Sequence, residues 1–453
     1  MAESTNTIQK EIQDREAKER RELRRKRRRR NQILAILTLL LFVCLIVAII
    51  GSGVWYIMHR GAGKTAGGGA ATTEETTIDN LFESEDEIVK PEETNTEPAL
   101  TPEQQLDAIL DEAFISQMPL EDKVAGLFIV TPESITGVNK AVKAGDGTKD
   151  ALNKYAVGGI VYASQNMQDA AQFTEMVSNT TLYSRYALFT CVAEEGGSST
   201  SLEKAGLADK TDSEQAMGTG ADAAKEYEAS GKIADSMLTY GLNLNFAPVA
   251  DLATVQDSYL KDASYGSDAA LAASFVTSAV QGMQEKGISS CLKYFPGAAD
   301  MKEDPAKGMA SSERTAEQLA AEEFTVFKAG IDAGADMVMV GHVAVPAITG
   351  DNTPCSLSSA VVTDKLRNEL GFNGVIITDA MNKGAITEYY EADEAAILAL
   401  KAGCDMILCP DDFEKAYNGV LEAVQNGTIS EERINDSLRR IYRIKYAGMK
   451  PEA

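Results

Sequence analysis

A (β/α)8 barrel is the fold class the sequence predicts, and three observations predict it. Eight short apolar runs, at 125–130, 159–162, 187–192, 242–247, 291–295, 337–340, 375–378 and 406–409, recur along the chain, most of them separated by 25–50 residues. The segments between them carry helical patterns, clearest at 275–283 and 392–402. Strand and helix alternating eight times is the signature of a parallel α/β architecture. The runs are also continuously apolar rather than alternating, as in Val375-Ile376-Ile377, which is how strands buried on both faces read. Finally, polar residues gather just past the C-terminal ends of the runs, where barrels place ligand-directed groups. A doubly wound open sheet is the competing topology on pattern alone.

The chain before the barrel reads as three segments. Residues 1–30 are charged and helix-prone, with a basic block at 24–30, and residues 1–60 carry a net charge of +7. From 33 to 58 the chain is apolar or small and uncharged, long enough to span a bilayer as a helix. The basic block holds the N-terminus in the cytoplasm under the positive-inside rule, and Trp55 and Tyr56 sit near the far end as interfacial aromatics do. No small-x-small cleavage site is evident, so 31–58 is expected to be a retained single-pass signal-anchor at the cell membrane, with everything beyond it extracellular. Residues 59–101 are Gly/Ala/Thr-rich and then acidic, with too few large apolar residues to fold, and read as a flexible spacer. The barrel is expected over 102–450.

Charge narrows the function. The chain carries −25 overall and −32 beyond residue 60, which repels phosphate backbones and argues against a nucleic-acid partner. The six cysteines do not form a disulfide framework: Cys44 lies in the expected span, and Cys191, Cys291 and Cys409 fall in apolar runs. Cys404 and Cys409 are near enough in sequence to pair, although nothing requires it. His59 and His342 are the two histidines, and with the scattered acids they show no metal-ligand spacing. No Gly-rich loop leads into Lys-Ser/Thr, so no phosphate cradle is read.

The strand ends carry the chemistry. Glu194-Glu195-Gly196-Gly197 follows the third run and Pro248-Val249-Ala250-Asp251 the fourth. Lys293 lies within the fifth, which leads through Pro296-Gly297 into the loop 298–308. Gly341-His342 follows the sixth, Asp379 the seventh and Asp411-Asp412 the eighth. One acid at a strand end is most often a helix cap, the role expected of Asp411 and Asp412. Several acids converging with a lysine and a histidine point to a ligand site.

These residues resemble a known family. Asn245-Phe246-Ala247-Pro248-Val249-x-Asp251, Lys293-x-Phe295-Pro296-Gly297 and Ile377-Thr378-Asp379-Ala380-Met381 are similar to motifs of the N-terminal barrel of glycoside hydrolase family 3. So are Glu195-Gly196-Gly197 and Pro354-x-Ser356-Leu357-Ser358, in the same order, and the single-domain β-N-acetylhexosaminidase branch is the nearest pattern. The resemblance implies retaining hydrolysis through a covalent glycosyl-enzyme intermediate, without a cofactor. It makes Asp379 the nucleophile and Lys293, with His342 more loosely, a contact for sugar hydroxyls. Lys293 is also the cation expected to keep Asp379 ionised. Asp251, Glu195, Tyr294 and Met381 complete the expected saccharide-binding set.

The family pattern is not complete. In this branch the acid/base is a histidine held by an Asp two residues earlier on the loop after the fifth strand; here that Asp is Asp304 and the histidine position is Ala306. Ala193, Ser198 and Ala263 likewise stand where the family has an Asp and two Arg. Asp300, Glu303 and Asp304 lie on the same loop and are the candidate substitute acids. Two functions follow as expectations. One is a membrane-anchored, monomeric, extracellular glycosidase acting on an N-acetylglucosamine-containing glycan such as a peptidoglycan fragment. The other is a catalytically impaired relative that binds saccharide as a regulatory module.

Overall fold

Every one of the eight apolar runs contains a strand. In the computed structural model, which describes Leu110 and residues 114–447 apart from 199, 298 and 299, these are β1 (Phe128–Val130), β2 (Gly159–Val161), β3 (Phe189–Val192) and β4 (Leu244–Asn245), followed by β5 (Ser289–Phe295), β6 (Met337–Val340), β7 (Val375–Thr378) and β8 (Ile407–Leu408). The expected tail, membrane helix and spacer lie outside the described residues. No helix among the described residues is long and apolar enough to cross a membrane.

All strand pairs are parallel, in the order β7-β6-β5-β4-β3-β2-β1-β8. The ring closes between its two ends through the parallel bridge Ile377↔Met406, where Thr378 N donates to Met406 O at 3.1 Å. The apolar, β-branched strands are buried along their whole length in β1, β3, β6 and β7, as a sheet covered on both faces requires. The helices read from periodicity appear as Ala269–Gln284 and Ala392–Ala402. Asp412 caps the helix Phe413–Gln425, accepting from Lys415 N at 3.0 Å. The cysteines at 191, 291, 355, 404 and 409 are free thiols, so Cys404 and Cys409 do not pair.

One irregularity serves the site. β5 pairs regularly with β6 through Leu292↔Val338 and then shifts register before Phe295↔Val340. In a regular strand Lys293 and Tyr294 would face opposite sides of the sheet. An irregular stretch re-aims side chains, and here it brings the Lys293 ammonium within 5.4 Å of its neighbour's ring centroid.

The closing strands are held by a buried charge. Asp405, fully enclosed just before β8, accepts from Ile376 N at 3.0 Å and from Ser437 Oγ at 2.7 Å. Arg367 at 2.6 Å and Arg440 at 3.1 Å donate to its two oxygens, and Arg433 stands 3.7 Å away. The carboxylate thus joins β7, the turn into β8 and the final helix Glu431–Lys445. Removing one member of a buried ionic cluster leaves the others uncompensated. Asp405→Ala is therefore expected to lower stability by about 3–5 kcal/mol, read from the urea unfolding midpoint.

Candidate active site

Asp379 follows directly from β7 and is 6% exposed. Its backbone N–H donates to Val340 O at 2.9 Å, so the neighbouring strand fixes the residue before its side chain does anything. Oδ1 accepts the N–H of Ala380 at 2.7 Å, and Oδ2 pairs with Lys383 Nζ at 2.7 Å. Burial opposes the charge of this carboxyl. The Lys383 ammonium, then His342, then the two hydrogen bonds outweigh it and hold the group below the ordinary aspartate value.

A cavity of about 270 Å³ opens over this carboxylate. Glu195, Tyr259, Tyr294, Asp304, His342 and Lys383 supply its polar lining, and Leu260, Ala263, Pro305, Ala306 and Val343 its apolar patches. Among the described residues Lys383 is the one Lys or Arg on that lining. The cavity sits at the C-terminal ends of the strands, where the barrel reading places ligand contacts.

The expected site residues divide into those that line the cavity and those that stand behind it. Glu195 lines it and forms an ion pair with Lys293. Burial works against the charge on Lys293, but the carboxylate of Glu195 outweighs it and raises the lysine above its ordinary value. Lys293 is therefore committed to Glu195, and the cation paired with Asp379 is Lys383 and not Lys293 as expected. Gly196 and Gly197, both at positive φ, let the chain after Glu195 run directly against Asp212 and Ser213; a Cβ on either would lie 2.1 Å or 2.5 Å from those residues. That approach also brings Glu214 up behind the pair. Glu214 accepts from Val249 N at 3.1 Å, and burial, then the charges of Glu195 and Glu226, push its carboxyl well above the usual range.

Tyr294 lines the cavity with its ring near two ammonium groups, Lys293 Nζ at 5.4 Å and Lys383 Nζ at 5.6 Å from its centroid. His342 also lines it, but both ring nitrogens are engaged. Nε2 lies 3.0 Å from Ala380 O, which only accepts, so Nε2 carries the proton and Nδ1 accepts from Ser356 Oγ at 2.8 Å. Burial keeps this imidazole neutral by lowering its pKa, and it offers no free nitrogen to a sugar hydroxyl. Asp251 is buried beneath the site and does not line the cavity; its Oδ1 accepts from Leu252 N at 2.8 Å. Met381 packs into the hydrophobic core, because its N–H donates to Leu408 O at 2.8 Å and turns the side chain inward.

The loop after β5 answers which of its acids can reach a ligand. Asp304 lines the cavity; its Oδ1 accepts from Ala306 N at 2.9 Å and its Oδ2 stands 3.8 Å from Lys307 Nζ. Glu303 is exposed and outside the cavity. Asp300 is turned to Ser312, whose hydroxyl donates to Oδ2 at 2.9 Å, and it too is outside the cavity. The loop is tied down by Gly384 N to Ala306 O at 3.0 Å, Ala385 N to Pro305 O at 3.1 Å, and the Ser311↔Ala344 bridge.

Two residues escaped sequence reasoning. Tyr259 comes from an irregular loop with no periodic signal. Lys383 did leave one, its spacing of four from Asp379, which a turn converts into contact.

An ionised strand-end carboxylate in a polar cavity on a closed parallel ring defines the barrel enzymes that work from the C-terminal face. Comparison with known proteins narrows the class. Residues 119–444 match the family profile "Glycosyl hydrolase family 3 N terminal domain", and the chain belongs to that family. A β-hexosaminidase of Stenotrophomonas maltophilia is 30% identical over 284 residues, covering 60% of this chain and 82% of that protein. Among solved structures, a family 3 β-N-acetylglucosaminidase from Paenibacillus is 31% identical with a TM-score of 0.69, covering 74% of this chain and 64% of that one. A family 3 glycosyl hydrolase of Mycobacterium smegmatis is 26% identical with a TM-score of 0.65, and 99% of it is covered.

The Glu195–Lys293 pair gives the site its own stability test. Lys293→Met leaves Glu195 beside Glu214 without a counter-charge, and a loss of about 3–5 kcal/mol is expected in urea unfolding. The double substitution Lys293→Met with Glu195→Gln, which removes both charges, is expected to recover at least half of that loss.

Proposed function

We propose that this chain is a retaining glycoside hydrolase of the β-N-acetylhexosaminidase type, with Asp379 as its nucleophile. The observation that carries the reading is the carboxylate of Asp379, buried at the end of β7, held in its charged form and facing the cavity. The names of the relatives, β-hexosaminidase and β-N-acetylglucosaminidase, support the choice of sugar. An Asp379 oxygen attacks the anomeric carbon while the glycosidic bond breaks, its electron pair leaving with the departing oxygen, which takes up a proton. Water then attacks the same carbon, regenerates the carboxylate and releases the sugar with its configuration retained.

Asp304 is the proposed proton donor, as the one carboxyl of the three loop candidates that lines the cavity. With Ala306 at the imidazole position, leaving groups that need little protonation are favoured. The uncharged stretch 33–58 and the basic block before it support a membrane-anchored enzyme with its barrel outside the cell, and the relatives' names support an N-acetylglucosamine-containing glycan as its substrate. A second reading, a saccharide-binding barrel without turnover, is favoured by Ala306 at the imidazole position together with the lost family groups at Ala193, Ser198 and Ala263.

Hydrolysis of an activated aryl N-acetylglucosaminide tests the proposal. Asp379→Asn is expected to reduce kcat/KM by at least about 10³-fold, about 4 kcal/mol of transition-state stabilisation. Asp304→Asn is expected to slow alkyl glycosides far more than the activated aryl substrate. Saccharide binding with no turnover, and no covalent adduct on Asp379, would establish the second reading instead.

A further inference from the structure

The counter-charge of Asp379 does not come from the residue the family pattern offers. Lys293 is spent on Glu195, and His342 is neutral with both nitrogens used. We infer that Lys383 is a positioning residue of the nucleophile: its ammonium fixes Asp379 Oδ2 and supplies the charge that a buried carboxylate at this strand end requires. The inference rests on Asp379 being the attacking group.

The local fold makes the contact. Lys383 N donates to Ala380 O at 3.2 Å, closing a turn that returns the chain toward Asp379, and Ile386 N and Thr387 N donate to Lys383 O at 2.9 Å and 3.0 Å. Nζ reaches Oδ2 at 2.7 Å from a side chain that is 28% exposed, while Oδ1 is held by Ala380 N at 2.7 Å. Both oxygens are thereby oriented, which fixes the carboxylate plane relative to an incoming anomeric carbon. The residue after Lys383 is bonded to Ala306 O, so the same turn sets the distance between nucleophile and acid loop.

No other facing group can take over the charge. Burial pushes Tyr294 and Cys409 up to about 12, and it also raises Cys291 and Tyr259, so all four are neutral across the working range. Asp304 and Glu195, which share the cavity, are acids. Without Lys383, only the Ala380 N–H and the imidazole of His342 oppose the burial of Asp379, and its carboxyl moves up from its present place below the ordinary value of 3.8. The sign follows: the wild-type nucleophile stays ionised to below that pH, and a variant lacking the cation loses ionisation at higher pH.

The test uses the full chain as wild type, Lys383→Met and Lys383→Arg. Carbon-13 titration of aspartate carboxyls, with Asp379 assigned by the signal missing in Asp379→Asn, reads the midpoint directly. Covalent labelling by an activated fluorosugar is followed against pH in parallel. Lys383→Met is expected to raise the midpoint by about one pH unit or more, and so to move the acid limb of labelling by at least about tenfold in proton concentration. Lys383→Arg is expected to restore both. An unmoved midpoint in Lys383→Met overturns the inference. So does a loss restricted to poor leaving groups with an unmoved midpoint, which would make Lys383 a proton donor. If no variant is labelled but the midpoint still rises, the glycosidase reading fails and with it the catalytic sense of the positioning, while Lys383 remains the counter-charge that keeps Asp379 ionised.

Discussion

A carboxylate withdrawn from water must be matched by charge or give up its own, and the arrangement around Asp379 follows from that constraint. The apolar strand β7 delivers the group into a buried place, and the turn after it returns a lysine to meet it. Once that pair exists, the neighbouring residues have settled roles. Lys293 is free to neutralise Glu195, the Tyr294 ring lies near both ammonium groups, and His342 remains neutral as a structural ring. Fixed pairs of this kind are oriented before a ligand arrives, which is where preorganised sites gain over water.

The other end of β7 is held by different means. Asp405 collects three guanidinium groups and a backbone N–H around one enclosed carboxylate, fastening the strand, the turn into β8 and the last helix together. The net stability such a cluster adds over apolar packing is small, because desolvating the charges offsets most of their attraction. Here it falls on the seam of the barrel, where β7 and β8 share little regular pairing. A strand that ends in the buried carboxylate of Asp379 is thus clamped at its other end.

The sequence was legible where a single physical rule dominates. Continuous apolar runs marked all eight strands, and the 3.6-residue pattern marked the helices at 269–284 and 392–402, because burial on two faces or one stripe leaves a local trace. Asp379, Glu195, Tyr294, His342 and Asp304 all line one cavity, because strand ends converge in a barrel. Partnership was harder to read. Whether Lys293 or Lys383 faces Asp379 depends on a register shift in β5 and a turn after β7, neither of which composition or periodicity encodes. Met381 and Asp251 were drawn toward the site by motif position alone, while their backbone contacts place one in the core and the other beneath the cavity floor. Asp300 and Glu303 show the same limit: three acids on one loop look equivalent in sequence, and the loop's anchoring decides which faces inward.

Gly384 sets a dimension of the site in a way that no side chain does. A Cβ there would stand 2.7 Å from the backbone of Lys307 and 2.8 Å from that of Gly308, so two main chains meet at van der Waals distance beside the cavity. The gap between the turn after β7 and the loop after β5 is therefore a backbone clearance and not a choice of rotamer. Rotamers adapt to a guest; touching main chains do not. The clearance on that side is set by main chain against main chain, while the cavity's lining elsewhere includes side chains such as Tyr259 and Leu260, whose rotamers can adjust.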